Sequence, residues 1–480
     1  MLSGAMDVRA ASMVVVRRMG EAKPLPSQTF KPAEFRRLPV AVAAARVGRS
    51  LTLPPGLFPL AASGARETIG ERGTNAINAD NRHWTATGAP ATILPTMSEV
   101  EKQFSLARAV SVNRRGARSN SLTVRVALSL FAALVVHCGN AADQVVKWYE
   151  ATSFEVEGKG WAQTAGPFDR LPDSATNKVS RTAWGLSKHS AGICVRFVTD
   201  AATVSARWSL TSTELAMPHM PATGVSGLDL YVRSTNGLWR FVGNGRPGRV
   251  ESNNAAFTFP GGGKVLRECL LYLPLYNGIK SLDIGAPPDA RLEAPAPRPV
   301  RLRQPIVVYG TSIAQGGCAS RPGMVWSAIL GRLLDRPMIN LGFSGSGTME
   351  PPVGEALAEL DPAAYVIDCL WNVGDIPQNE YNQRIGSLVH TIRKAHPLTP
   401  IVFVGQSLIR PEAHPTDMTR KQETSVLTLQ KEGVTNLVVV PGTHLLSDDG
   451  EATVDGVHLT DLGMDRQAKC LLPVLRELLR

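Results

Sequence analysis

Residues 305–343 read PIVVYGTSIAQGGCASRPGMVWSAILGRLLDRPMINLGF. The run PIVVYG is apolar, of strand length, and ends in Gly310–Thr311–Ser312. MVWSAILGRLL follows with apolar residues at helical spacing, and MINLGF is strand-like again. Strand, helix, strand in so short a space predicts two parallel strands joined by a crossover. The alternation continues through PVGEALAEL, AYVIDCL, NEYNQRIGSLVHTIRKA, PIVFVG, a helix within 413–431, TNLVVV and a terminal helix near 460–479. Five β–α alternations predict an α/β fold over 305–480, a doubly wound parallel sheet with helices on both faces. Ligands of such sheets bind outside the carboxyl ends of the strands, so chemistry is to be sought there.

Working toward the N-terminus, the grammar changes. ICVRFVTD, ATVSARWSL, GLDLYVRS, LWRFVG, AAFTF and CLLYLPLY are short runs of alternating, β-branched or aromatic residues. Turn-forming residues separate them, among them Asp200, Asn236–Gly237, Gly245 and Gly261–Gly262–Gly263. Regularly spaced short strands over 143–286 predict a β-sandwich. Residues 287–304 are rich in proline (Pro287, Pro288, Pro295, Pro297 and Pro299, with Pro305 just beyond) and read as a stiff linker or wrapped connector.

The chain has 480 residues and a net charge of +10. That excess is confined to 1–142, which carry 18 Lys plus Arg against 8 Asp plus Glu; 143–480 carry 33 of each. The two domains therefore have no net-charge reason to seek nucleic acid. Residues 1–96 read as a disordered or mis-assigned extension, with KPLPSQTFKP and LPPGLFPL and little sustained hydrophobic period. Residues 97–142 have a different shape. Arg114, Arg115, Arg118 and Arg125 precede the apolar stretch Val126–Cys138, and Gly139–Asn140–Ala141–Ala142 closes it. These are the parts of a secretory signal peptide, with Met97 the suspected start, and they predict an exported, periplasmic or extracellular protein. No apolar run reaches the roughly 20 residues of a transmembrane helix. None of the six cysteines has C-x-x-C spacing, and Cys194 and Cys269 remain open as a pair or as separate thiols.

Four elements fall at the predicted strand ends: Gly310–Thr311–Ser312–Ile313, Gly342–Phe343–Ser344–Gly345–Ser346–Gly347, Leu370–Trp371–Asn372 and Asp455–Gly456–Val457–His458. A serine hydroxyl needs an adjacent base to become a nucleophile. His458 fits that role, and Asp455, three residues earlier, can orient its ring. An attacked carbonyl becomes an oxyanion and needs donors set in advance. The backbone N–H groups of Ser312 and Gly345 and the side-chain amide of Asn372 are the candidates. Ser344 and Ser407 are rival nucleophiles, and His390, His396 and His444 read as structural or solvent-facing. Neither G-x-S-x-G, a Walker G-x-x-x-x-G-K-[ST] nor H-E-x-x-H occurs.

These four elements resemble the blocks of the SGNH (GDSL-like) hydrolase superfamily. GTSI is similar to its Gly-Asp-Ser block, with Thr311 in place of Asp. INLGFSGSG resembles the second block, with Gly345 the matching donor. LWN resembles the third, usually Gly-x-Asn-Asp, with Leu370 and Val373 in place of Gly and Asp. DGVH matches the Asp-x-x-His block intact. Gly227–Leu228–Asp229–Leu230–Tyr231 matches the G-x-D-L-Y string of a module found ahead of such hydrolases. The resemblance implies a flavodoxin-like three-layer sheet preceded by a β-sandwich, and ester hydrolysis with no cofactor or metal. It also implies Ser312, His458 and Asp455 as catalytic residues and Gly345 and Asn372 as the oxyanion hole.

The expected function is an exported serine esterase acting on small acyl esters, O-acetyl groups on carbohydrate foremost, through an acyl-enzyme. A lipid esterase or thioesterase of the same fold, or a non-catalytic carbohydrate-binding protein on this scaffold, are the alternatives. The expected partner is a small-molecule or polysaccharide ester. Trp184, Trp208 and Trp239 are candidates for stacking on sugar, and Trp326 and Trp371 for the acyl pocket.

Overall fold

The computed structural model describes residues 145–408 and 415–480. The extension 1–96 and the signal-like segment 97–142 lie outside the described residues.

The β-rich half folds from strands β1 (Lys147–Glu150), β2 (Glu155–Glu157), β3 (Cys194–Thr199), β4 (Thr203–Leu210), β5 (Leu228–Arg233), β6 (Trp239–Gly245), β7 (Asn253–Thr258), β8 (Arg267–Tyr272), β9 (Ile279–Ala286) and β10 (Leu292–Glu293). Short helices α1 (Arg181–Leu186) and α2 (Ala222–Val225) lie in the β2–β3 and β4–β5 connections. One antiparallel sheet has the order β1-β9-β4-β7; the other runs β10-β3-β8-β5-β6, with β2 also on β3. Strand alternation sorts the second sheet into two faces. Val195, Phe197, Leu228, Leu230, Cys269 and Leu271 point into the sandwich core, where Trp208 of β4 also sits. Cys194, Tyr231, Leu270 and Tyr272 point the other way, into a core shared with the α/β half. Cys194 and Cys269 therefore lie on opposite faces, and both are free buried thiols.

The α/β half comprises β11 (Ile306–Gly310), α3 (Ser312–Gln315), α4 (Trp326–Leu334), β12 (Met338–Gly342), α5 (Pro351–Ala358), β13 (Ala364–Asp368), α6 (Leu370–Val373), α7 (Gln378–Ala395), β14 (Ile401–Val404), α8 (Asp417–Lys431), β15 (Leu437–Val440) and α9 (Asp461–Leu478). The strands are parallel in the order β12-β11-β13-β14-β15. Ile306 and Val308 face the layer of α4 and α9. Val307 and Tyr309 face the layer of α5, α7 and α8. Both faces are covered, which is why these strands read as continuous apolar runs. In α7, Tyr381, Ile385, Leu388, Val389 and Ile392 make the buried stripe. Register pairs Gly310 with both Gly342 and Asp368, so three strand ends lie level at one rim.

Segment 287–304 wraps the seam between the halves. It lays β10 on β3 and inserts Arg298, whose guanidinium reaches Glu157 at 2.7 Å and Asp335 at 2.9 Å. Arg196 shares Glu157, also at 2.7 Å. A buried network of this kind gives little net stability, but removing one member strands the others. Trp326 is fully buried in the shared core rather than lining a rim, and Trp208 is 1% exposed; both are packing residues.

Candidate active site

Chain geometry begins the site. Thr311 follows β11 in extended backbone and its Oγ1 accepts from the N–H of Ile313, capping α3. Thr311 thus serves the short helix from the position that the Gly-Asp-Ser block fills with aspartate. Ser312 is the first residue of α3. Its Oγ lies 2.9 Å from Nε2 of His458. Nδ1 of His458 lies 2.7 Å from Oδ2 of Asp455. The other oxygen of Asp455 accepts the N–H groups of Val457 (3.0 Å) and His458 (2.8 Å). Gly456 adopts φ +89°, which lets the four-residue turn bring acid and ring together. Partial burial raises the Asp455 pKa, but the His458 backbone and ring, and the Val457 N–H, outweigh it and hold the carboxyl at about 2. Asp455 is therefore an anion at neutral pH, the proton sits on Nδ1, and Nε2 is left to accept from Ser312.

The donors can be found by accounting for every N–H of the β12 loop. Phe343 donates to Gly310 O at 2.9 Å and Ser346 to Phe343 O at 2.8 Å. Ser344 donates to Oε1 of Gln315 at 3.0 Å. Gly347 donates to Oδ1 of Asn372 at 3.0 Å. Gly345, at φ +67°, keeps its N–H without a partner among the described residues. Ser312 N–H, at the start of α3, and the Asn372 NH2 are likewise unclaimed there. A Cβ on Gly347 would lie 2.4 Å from Gly310 O and 2.9 Å from Thr311 N, so this loop packs against the backbone that delivers Ser312.

Ser312, not Ser344 or Ser407, is the serine hydrogen-bonded to His458: the Ser344 backbone N–H goes to Gln315, and the Ser407 hydroxyl accepts from Trp371 Nε1 at 3.3 Å. His396 bonds Ala358 O, His390 faces Glu432, and His444 is exposed. Trp184 carries the Lys188 ammonium over its ring, and Trp239 the Arg233 guanidinium. The cavity at the seam, lined in part by Glu157, Arg298, Arg332 and Met338, holds none of the Ser312–His458–Asp455 group. Among the described residues no group of three or more His, Cys, Asp and Glu is arranged to hold a metal.

Sequence reasoning missed what the sandwich contributes. Tyr276, in the β8–β9 connection, donates its hydroxyl to Ser312 O at 3.3 Å. His219, at the tip of a turn closed by reciprocal bonds between Met217 and Met220, brings its ring centroid 5.9 Å from that of His458. The G-x-D-L-Y string also acquires a role. Leu228 and Leu230 point into the sandwich, while Asp229 and Tyr231 face the α/β half. Asp229 Oδ2 accepts Arg321 at 2.7 Å and the Gly323 N–H at 2.9 Å, and so ties down the loop after α3. Burial lifts the Asp229 pKa to about 6, against the pull of Arg321.

A GDSL-like lipase/acylhydrolase family model matches residues 303–476, and a model of the N-terminus of SGNH hydrolase-type esterases matches 146–292. A GDSL-like lipase from Bacteroides ovatus shares 34% identity and a TM-score of 0.63, over 70% of this chain and 98% of its own. The chain belongs to the GDSL-like lipase/acylhydrolase family. This acylhydrolase is a carboxylic ester hydrolase. Its fold is also shared with a salicylyl-acyltransferase from a tetracycline biosynthetic pathway, at 17% identity and TM-score 0.56 over 68% of this chain and 95% of that one. A search of the curated proteins returns no match. Among the described residues of the acylhydrolase, no helix is long and apolar enough to cross a membrane.

Proposed function

We propose that the protein is an exported serine esterase that removes small acyl groups, O-acetyl foremost, from a carbohydrate alcohol. The observation that carries this is the unbroken Ser312–His458–Asp455 relay, 2.9 and 2.7 Å, set beside three unclaimed donors. His458 takes the Ser312 proton as Oγ attacks the ester carbonyl. The carbonyl oxygen becomes an anion received by the N–H groups of Ser312 and Gly345 and the amide of Asn372. His458, its charge balanced by Asp455, returns the proton to the departing alcohol. Water then gives a proton to His458 as its oxygen attacks the acyl carbonyl, and His458 passes that proton to Ser312 Oγ as the acyl–oxygen bond breaks and the acid leaves.

Two features favour a small acyl group on a bulky alcohol. Ser312 is only 9% exposed, while the His458 and Asp455 side chains are 25% and 44% exposed. The leaving-group side is therefore the open one, and His219 and Tyr276 of the sandwich border it. Export rests on the basic, apolar and small-residue succession over 114–142.

The test uses purified Ser312→Ala with p-nitrophenyl acetate and an acetylated oligosaccharide. Activity should fall at least about 1,000-fold on both. Wild-type rates in the variant refute the mechanism, and a preference for octanoyl over acetyl esters refutes the substrate.

A further inference from the structure

The sandwich half does more than border the site. Arg170, in the β2–β3 connection, is 1% exposed and pairs with no carboxylate among the described residues. Its guanidinium is spent on four backbone carbonyls: Leu186 (2.7 Å), His189 (2.8 Å), Asn340 (3.1 Å) and Gly342 (2.7 Å). The last two are at the carboxyl end of β12, where the Phe343–Gly347 loop begins. His189, fixed by the same arginine through its carbonyl, turns Nδ1 toward Nε2 of Gln315 at 3.1 Å. Burial, and then the Arg170 charge, lower the His189 pKa to about 4. A neutral ring is an acceptor at Nδ1, which makes Gln315 the donor. The second Nε2 hydrogen goes to Leu275 O, also in the sandwich half, at 3.1 Å. With its NH2 fully used, Gln315 can present only Oε1 to Ser344 N–H.

We propose that Gln315, oriented by Arg170 and His189, is a positioning residue that claims the Ser344 amide and so leaves Gly345 N–H as the loop's donor to the oxyanion. This rests on the reading of Ser312 as nucleophile. Gln315 sits on the same four-residue helix as Ser312, so one element sets both the attacking oxygen and the receiving amide. The nucleophile-bearing half is thus incomplete without the sandwich, which orients the amide that orients the loop.

The experiment measures kcat, KM and melting temperature with p-nitrophenyl acetate, and the Ki of a phenylboronic acid, which places a tetrahedral oxygen at the oxyanion position. Gln315→Met removes the bridge at similar volume. Its kcat should fall about 10- to 100-fold with KM within twofold, and boronate affinity should fall with kcat. His189→Ala added to Gln315→Met should cost no further kcat, because both act through one bridge. Gln315→Asn keeps the amide but is one methylene short; it supplies a second folded variant and should also lose kcat. A folded Gln315 variant with wild-type kcat and boronate affinity overturns the proposal, as does a rise in KM alone. Ser312→Ala measured alongside separates the two readings: if it stays active, the nucleophile assignment has failed rather than the positioning one.

Discussion

Gly342→Ala tests how closely α3, the helix that bears Ser312, is seated on the sheet. A Cβ built on Gly342 lies 2.1 Å from Gln315 N, 2.5 Å from Ala314 C and 2.6 Å from Gln315 Cα, all backbone atoms of α3. Ordinary contact begins at 3.4 Å, so the shortfall is about 1.3 Å. No flexible side chain is there to yield. Nor can β12 retreat freely, because Arg170 grips Gly342 O at 2.7 Å and Asn340 Nδ2 donates to Ala314 O of α3 at 2.6 Å. The helix must move by about an ångström and carry Ser312 with it. Overpacking of this kind costs about 1–3 kcal/mol, which lowers the melting temperature by a few degrees. A displacement of about 1 Å at a reacting atom costs about 100-fold in rate. Hydrolysis of p-nitrophenyl acetate should therefore lose about two orders of magnitude in kcat, with KM little changed, while calorimetry shows a folded protein. Gly386→Ala in α7, whose added Cβ meets nothing within 4 Å, is the control; it should keep full activity and gain up to about 1 kcal/mol. Gly342→Ala with kcat within threefold of wild type and an unchanged melting temperature would refute the reasoning.

Other outcomes follow from the same geometry. Asp455→Asn keeps an acceptor for the two backbone N–H groups but turns an NH2 toward Nδ1, which forces the proton to Nε2; kcat should drop about 1,000- to 10,000-fold with little change in melting temperature. Asp368, fully buried beneath the strand ends, has its pKa lifted to about 7 by burial, against the Gln467 hydrogen bond of 3.2 Å. A folded-state pKa above the unfolded value means the native state binds more protons, so stability falls as pH rises from about 4 toward 7. Asp368→Asn removes that cost and can donate to the unpartnered Gln467 Oε1; it should stabilise the protein by roughly 2–4 kcal/mol at pH 8 and by less at pH 5, read by denaturant unfolding. Cys194 and Cys269 should both alkylate after denaturation without reductant, as intact mass would show; a mass deficit of one disulfide between them would contradict the opposite-face packing.

Much of this protein is written locally in its sequence. The five β–α alternations were legible because a strand covered on both faces must be apolar throughout, and a helix covered on one face must carry a stripe. The sandwich was legible in part. β3 to β8 stood out by alternation and turn residues, whereas β2 and β10 are too short to show a period. The Asp455–His458 turn was legible because both residues and the glycine that lets them meet lie within four positions. Only the tertiary structure decided the rest. Arg170, His189, His219 and Tyr276 reach the site from loops whose local sequence has no periodicity and no spacing to read. Trp208 and Trp326 went to cores rather than surfaces because burial belongs to the packed assembly, not to residue type. Cys194 and Cys269 were separated by strand register, which puts neighbouring positions on opposite faces. The sequence by itself determined which groups can do chemistry and on which kind of sheet; packing of one half on the other decided that Ser344 N–H is taken by Gln315 while Gly345 N–H has no partner among the described residues, because hydrogen bonds between distant segments leave no mark in local pattern.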